Sequence, residues 1–497
     1  MLSLAKQRIY LSREVYKMRN LTMLMDYYEL TMANGYYVTG NKDKIAVFDM
    51  FYRTNPDGGG FVVSAGLEML IDYIQGLKFT DDDIEYLRGR NMFDDGFLEY
   101  LRNFKFTGTI EAVPEGTIVY PNIPIVTVTA PIIEAQIVET MLLICINFQS
   151  LIATKANRIA RAAGDAVVME FGARRAQGPD AAVWGTRACY IGGVNTTATV
   201  MADQQFGVTA VGTMAHSWVE FFPSEYEAFK AYAEIYPDNS VLLIDTYDIL
   251  ESGLVNAIKV AHEVLEPMGK RLKGVRIDSG DLAYFSKKIR RTLDAEGLQD
   301  CSVVVSNSVD EYLIDSLNKQ GAKINSYGVG ERMITSKSDP VFGGVYKLVA
   351  VKEGDTFIPK IKVSENVEKI TNPGKKKVYR VYSRKTGYAI ADLLTMADEE
   401  PDFSDSYAFI DPTKPWKNMK FRNVDAKPLQ VTIFKDGELV YEKPTLKEIQ
   451  EFVKHQLANE VWEEEQRFYN PHIHYLDLSQ KLYETKKELL AGVEFVD

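Results

Sequence analysis

Cysteine is scarce in this chain. The three residues, Cys145, Cys189 and Cys301, are scattered and odd in number. None forms a C-x-x-C pair, which excludes a disulfide framework or a thiolate zinc site and points to a reducing, cytoplasmic compartment. Basic charge is also in deficit, with 57 Lys and Arg against 69 Asp and Glu and a net charge of −12. A nucleic-acid backbone needs a basic footprint, so nucleic acid is excluded as a bulk partner. A small anion needs only a few local arginines. Long uninterrupted hydrophobic runs are missing too. The most apolar stretch, 132–152, is broken by Glu134, Gln136, Glu139, Asn147 and Gln149. A membrane span needs about 20 mostly apolar residues, so this stretch reads as a buried helix. Residues 1–20 are polar and charged, with no apolar core before a small-residue cleavage site, and no leader peptide is expected there. There is no solenoid repeat and no low-complexity tract.

What is present is ordinary globular material. Hydrophobic residues make up 46% of the 497 and charged residues 25%, which suggests two or three domains. The first part mixes helix and strand. Residues 21–36 read as a helix and 44–52 as a strand, followed by the turn-rich Asn55-Pro56-Asp57-Gly58-Gly59-Gly60. Residues 108–130 read as several short strands with proline punctuation.

The middle of the chain has a different rhythm. Apolar runs at 167–169, 208–211, 241–244, 275–277, 303–305 and 324–327 each end in a polar or glycine cluster. Buried parallel strands read as continuous apolar runs, and βα units need about 30 residues each. A barrel of such units gathers its functional residues at the strands' carboxyl ends. The pattern therefore predicts an α/β barrel with a site at its mouth, with an open doubly wound sheet as the alternative. Past residue 343 strands return, as hairpins over 345–363 and 430–441. Thr445-Leu446-Lys447-Glu448 is a capping-box pattern before an amphipathic run to residue 465.

Histidine is the natural place to look for chemistry, and there are five: His216, His262, His455, His472 and His474. His216 sits in Gly212-Thr213-Met214-Ala215-His216-Ser217, just past a strand end. A core histidine is the competing reading. His262 lies within a helical run and reads as structural or surface. His472 and His474 alternate in the tail without other ligand candidates nearby, so no metal site is assigned. Asp245 and Asp278 each close a strand run and could approach His216. A carboxylate on one imidazole nitrogen fixes the tautomer and leaves the other nucleophilic. Either aspartate could instead cap the following helix, although Asp281 is available for that role beside Asp278. Gly328-Val329-Gly330 could cradle a phosphate with backbone N–H groups. Phe171 with Arg174 and Arg175 suits a planar carboxylated ring. Arg276 lies within an apolar strand, where an unpaired guanidinium is costly. Arg53, just before the glycine-rich turn, could reach a phosphate.

Taken together and in order, Tyr27, Phe51-Tyr52-Arg53, Glu170-Phe171-Gly172, Arg174-Arg175-Ala176-Gln177-Gly178, Gly212 to Ser217, Asp245-Thr246-Tyr247-Asp248, Arg276 to Asp281 and Gly343 to Leu348 resemble the nicotinate phosphoribosyltransferases. The resemblance runs from about residue 20 into the tail. It implies an irregular α/β barrel of the type II phosphoribosyltransferase kind over 139–350. An N-terminal α+β domain over 1–138 and a C-terminal strand and helix extension over 351–497, packed on it, complete the expectation. The implied reaction is displacement of pyrophosphate from phosphoribosyl pyrophosphate by nicotinate, giving nicotinate mononucleotide for NAD synthesis. ATP hydrolysis, magnesium and a transient phosphohistidine at His216 are implied with it, as is a homodimer with shared active sites.

By the same resemblance Tyr27 and Phe171 sandwich the pyridine ring. Arg174 and Thr213 bind nicotinate with Arg276 close by. Asp245 and Asp278 orient His216 and favour a positive ribosyl centre. Gly328 and Gly330 take the 5′-phosphate, and Arg53 of a partner subunit meets a phosphate. Glu331 departs from the family pattern, in which a small hydroxyl residue follows the second glycine. The alternatives are a nicotinamide phosphoribosyltransferase and a non-catalytic nucleotide-binding homologue.

Overall fold

The fold is taken from a computed structural model that describes residues 19–366, 369–411, 416 and 419–492. The absence of a leader peptide was read from residues 1–20, and residues 1–18 lie outside the described ones. The described chain folds as two compact units, one of residues 155–340 and one of residues 19–154 with 341–492.

The unit of residues 155–340 is built on an all-parallel sheet. Its strand order is Thr196–Thr197, Val167–Glu170, Ser326–Val329, Ser302–Ser306, Gly274–Ile277 and Val241–Leu243. Five of the six apolar runs became these strands. Their central valines and isoleucines are buried, as a sheet covered on both faces requires. The sixth, 208–211, makes only a parallel bridge from Ala210 to Thr197, held by the Thr197 N–H on Thr209 O at 3.1 Å and the Val211 N–H on Thr197 O at 2.7 Å. The run at 324–327 starts its strand two residues late, because Asn325 is spent on the neighbouring edge: its Oδ1 accepts the Val303 N–H at 2.9 Å. Helices follow the strands, notably Leu282–Ala295 and Glu311–Lys319. Asp281 caps the first of these through the Tyr284 N–H at 2.9 Å, which leaves Asp278 free of that task.

The other unit carries a seven-stranded antiparallel sheet. Its order is Thr356–Pro359, Gly344–Glu353, Ile45–Tyr52, Val126–Pro131, Thr109–Ala112, Val431–Lys435 and Glu438–Leu439. Segments far apart in sequence therefore share one sheet. Ile45–Tyr52, which reads as an alternating strand, is buried on both faces after its first residue because it lies inside the sheet. Both predicted hairpins form, Lys352 facing Phe357 in one and Phe434 facing Leu439 in the other. The Thr445–Glu448 capping box starts the helix Leu446–Asn459. Residues 21–36 are helical only from Tyr27 onward, in Tyr27–Val38. The apolar stretch 132–152 lies within helices Ile132–Ile137 and Glu139–Ala163. Met141, Leu142, Cys145 and Ile146 on it belong to the hydrophobic core of this unit.

Candidate active site

The carboxyl ends of the parallel strands bring most of the candidate residues together. Val167–Glu170 leads directly into Phe171. Glu170 is fully buried, and its carboxylate gathers four donors. These are the Gly172 N–H and the hydroxyls of Thr197 at 2.7 Å, Thr186 at 3.1 Å and Thr199 at 3.3 Å. A buried carboxylate is tolerable only when its lone pairs are filled in this way. The arrangement anchors the turn that carries Phe171 and, in the 3₁₀ turn Ala173–Arg175, Arg174. The Phe171 N–H also donates to Val329 O at 2.8 Å, which ties the turn to the neighbouring strand.

Gly328 owes its identity to this turn. A Cβ there would stand 2.6 Å from two carbons of the Phe171 ring, so only glycine lets the ring lie against the strand. Gly330 is packed against the same turn, with a Cβ site 3.2 Å from Phe171 O. Across the ring lies Arg276, its guanidinium carbon 5.5 Å from the ring centroid. Arg276 is not an orphan charge. Its Nε donates to Ser306 Oγ at 2.9 Å and a terminal nitrogen donates to Thr213 Oγ1 at 3.3 Å. Burial pushes its pKa down, and Arg174 adds to this, while Asp278 and Asp245 act against it. Two guanidiniums and an aromatic face therefore occupy one neighbourhood.

The two aspartates are joined. Asp245 Oδ2 accepts the Asp278 N–H at 2.6 Å and the Ser279 hydroxyl at 2.8 Å. Among the described residues its other oxygen is buried without a partner. Asp278 Oδ1 accepts the Ser306 hydroxyl at 3.0 Å, so Ser306 links Asp278 to Arg276. Asp245, Ser279, Tyr247, Asp248 and Phe285 line a cavity of about 380 Å³. Beside them, Asn307 and Ser308 adopt positive φ of 121° and 42° at the end of Ser302–Ser306, a strained backbone of the kind that clusters at functional sites.

His216 opens the helix His216–Phe221 and is half-buried. Its Nδ1 lies 3.1 Å from Thr246 Oγ1, and among the described residues its Nε2 has no hydrogen-bond partner. The sequence pointed to a carboxylate at that place; the hydroxyl of the next residue stands there instead. Glu331 is turned to other work. Its carboxylate pairs with Lys337 and lies 4.0 Å from Arg175 Nε, and these cations hold its pKa below the usual carboxylate range.

Tyr27 and Arg53 belong to the other compact unit. Tyr27 begins its helix, is 41% exposed, and has Arg90 5.7 Å from its ring centroid. Arg53 follows Ile45–Tyr52 and lies over the Phe51 ring at 5.4 Å. His262 sits on the helix surface beside Glu266 at 3.0 Å, and His474 is buried between carboxylates. Lys155 is locked in a buried ion pair with Glu311 at 2.9 Å. Thr246, Ser279, Ser306 and Glu170 were not singled out by the sequence as site residues. All four stand at strand ends, which is the one signal that could have found them.

Comparison with known proteins settles the family. The chain matches family models for the nicotinate phosphoribosyltransferase N-terminal domain over residues 23–147, the nicotinate phosphoribosyltransferase family over 166–376 and its C-terminal domain over 375–486. The chain belongs to the nicotinate phosphoribosyltransferase family. It is 42% identical to the nicotinate phosphoribosyltransferase of Bacillus subtilis, over 96% of this chain and 97% of that one. The Caenorhabditis elegans nicotinate phosphoribosyltransferase is 36% identical over 93% and 92%. The crystal structure of human nicotinic acid phosphoribosyltransferase superposes with a TM-score of 0.83 at 30% identity, covering 94% of this chain and all of that one. A nicotinate-nucleotide pyrophosphorylase from Pyrococcus furiosus, at 24% identity and a TM-score of 0.68, shares the fold. The fold is thus that of the type II phosphoribosyltransferases with N- and C-terminal domains, as the sequence resemblance implies. Like its family, the protein is an enzyme of NAD biosynthesis, and its family membership implies nicotinate and phosphoribosyl pyrophosphate as substrates.

Proposed function

We propose that this enzyme couples phosphoribosyl transfer to ATP cleavage through a phosphohistidine at His216, and that the strand-end cluster around Phe171 and Arg276 is its nicotinate site. The observation that carries the reading is the His216 ring, held at Nδ1 by Thr246 with Nε2 left without a partner. An imidazole presented in that way is a nucleophile in the tautomer that leaves the lone pair on Nε2. Nicotinate stacks on Phe171, and its carboxylate meets Arg174, with Arg276 and Thr213 close by. A planar guanidinium matches a carboxylate better than it matches an amide, which favours nicotinate over nicotinamide.

Pyrophosphate leaves C1 of the ribose as the pyridine nitrogen arrives, and positive charge builds on the ring. Asp245 and Asp278 favour that charge, and such electrostatic stabilisation is often the largest catalytic contribution. The 5′-phosphate is taken by backbone N–H groups at Gly328 and Gly330. Glu331, neutralised by Lys337 and Arg175, does not repel it. Tyr27 closes the other face of the pyridine ring, and Arg53, from the partner subunit of a cytoplasmic homodimer, meets a phosphate.

Magnesium is consistent with the residues present. Among the described residues no three His, Cys, Asp or Glu side chains form a metal cluster, but Mg²⁺ is commonly held by one or two carboxylates together with substrate phosphates. Asp245, with its buried oxygen lacking a partner, and Asp278 would hold it. Bound there, it would neutralise charge on the departing pyrophosphate.

Incubation with γ-labelled ATP tests the phosphohistidine. Wild type is expected to take up acid-labile label and His216→Ala none. Equal labelling of the two proteins contradicts the proposal.

A further inference from the structure

One segment ties the imidazole to the carboxylate pair. Thr246 follows Asp245 just beyond Val241–Leu243. On one side of it, Asp245 is fixed by the Asp278 N–H and the Ser279 hydroxyl. On the other, Asp248 accepts the N–H groups of Leu250 at 3.0 Å and Glu251 at 2.6 Å. Thr246 is therefore pinned from both ends, and its Oγ1 lies 3.1 Å from His216 Nδ1.

A neutral imidazole carries one N–H and one lone pair, and a hydroxyl can either donate or accept. The direction of this bond decides which nitrogen can attack. If Thr246 donates, the lone pair is used at Nδ1 and Nε2 carries the proton. If it accepts, Nδ1 carries the proton and Nε2 keeps the lone pair.

We propose that Thr246 is a positioning residue whose hydroxyl accepts the Nδ1 proton and so holds His216 in the tautomer with a nucleophilic Nε2. The inference rests on the phosphohistidine reading. The Nε2 lone pair attacks the γ-phosphorus of ATP and an N–P bond forms. The bond from that phosphorus to the β,γ-bridging oxygen breaks, and its electron pair leaves with ADP. Nδ1 keeps its proton against Thr246 throughout. Hydrolysis later adds water to the phosphorus, returns the N–P electron pair to Nε2 and releases phosphate.

Three proteins test it: wild type, Thr246→Val and Thr246→Ser, each the full chain labelled with ¹⁵N-histidine. His216→Gln supplies the assignment of the His216 signals. On the alkaline side of the imidazole titration, wild type and Thr246→Ser are expected to show the Nδ1–H form, and Thr246→Val to lose it. Acid-labile labelling by ATP should slow about tenfold in Thr246→Val, the scale of one hydrogen bond. It should recover in Thr246→Ser, with the KM for nicotinate unchanged in both. A wild-type ring in the Nε2–H form overturns the proposal, as does Thr246→Val with the wild-type tautomer. If wild type shows the Nδ1–H form, Thr246→Val loses it, and no protein takes up label, the positioning role stands and the phosphohistidine reading falls.

Discussion

At the scale of single residues, the charges of the site are held by hydroxyls and backbone N–H groups rather than by one another. Arg276 is held by Ser306 and Thr213, Asp278 by Ser306, and Asp245 by the Asp278 backbone. Arg174 stands apart from this web, exposed on its turn beside Phe171. That makes it the residue to remove without collapsing its neighbours. Arg174→Ala is expected to raise the KM for nicotinate about tenfold or more, the worth of a charge-assisted hydrogen bond. ATP cleavage in the absence of nicotinate should survive. Steady-state kinetics at varied nicotinate would check both, and an unchanged KM removes Arg174 from the pyridine site. Of the site residues, Asp245, Asp278 and Arg276 were legible in the sequence because each interrupts or ends an apolar run, and Phe171 and His216 because each follows one within a few residues. Thr246, Ser279 and Ser306 were not, because a hydroxyl residue at a strand end is ordinary and only its partner across the sheet gives it meaning.

At the scale of elements, the strands were legible where burial on both faces forces an unbroken apolar run, as in Val303 to Val305. Hairpins were legible where turn residues such as Asp436-Gly437 punctuate two strands. Long-range pairing was not legible. Nothing local says that Tyr52 faces Gly344, or that Leu476–Leu478 runs parallel to Ala389–Met396.

That last strand is fastened by a buried ionic knot. His474 stacks on Tyr120 with centroids 3.7 Å apart and bonds Glu465 at 2.9 Å, with Asp392 at 3.7 Å. Arg380 grips Asp392 with two bonds of 2.8 and 2.9 Å. Burial alone would push the His474 pKa down, but Asp392 and Glu465 outweigh it and raise it above the ordinary histidine value. A raised folded-state pKa contributes stability that is fully present below the unfolded value, about 6.5, and is lost as pH rises through the folded value. His474→Gln should therefore cost about 3–5 kcal/mol near pH 6, the usual result of removing one member of a buried pair. The gap to wild type should narrow as pH rises. Urea midpoints across the alkaline range would check this; a gap that widens with pH contradicts the charged state assigned to His474.

At the scale of the whole molecule, a net charge of −12 and a pI near 5.2 accompany substrates that are themselves anions. Attraction therefore has to be local, and the arginines of the site supply it. The helix Ile132–Ala163 is apolar and long enough to span a membrane by length and composition, yet 67% of its most apolar window is buried in protein. If active sites are shared between subunits, defects in different sites can complement. His216→Ala and Arg53→Ala, each inactive alone, should recover on the order of a quarter of wild-type activity after mixing and subunit exchange, as random C2 pairing predicts. No recovery after demonstrated exchange would place Arg53 in its own subunit's site.

The choice of pyridine acceptor is the property of the site that one assay reads most directly. Pyrophosphate release from phosphoribosyl pyrophosphate should be measured with nicotinate, nicotinamide and quinolinate in parallel, each with and without ATP. Release is expected with nicotinate, enhanced by ATP, with little from the other two. Turnover of nicotinamide with nicotinate ignored would contradict the reading of Arg174 and Arg276 as a carboxylate site.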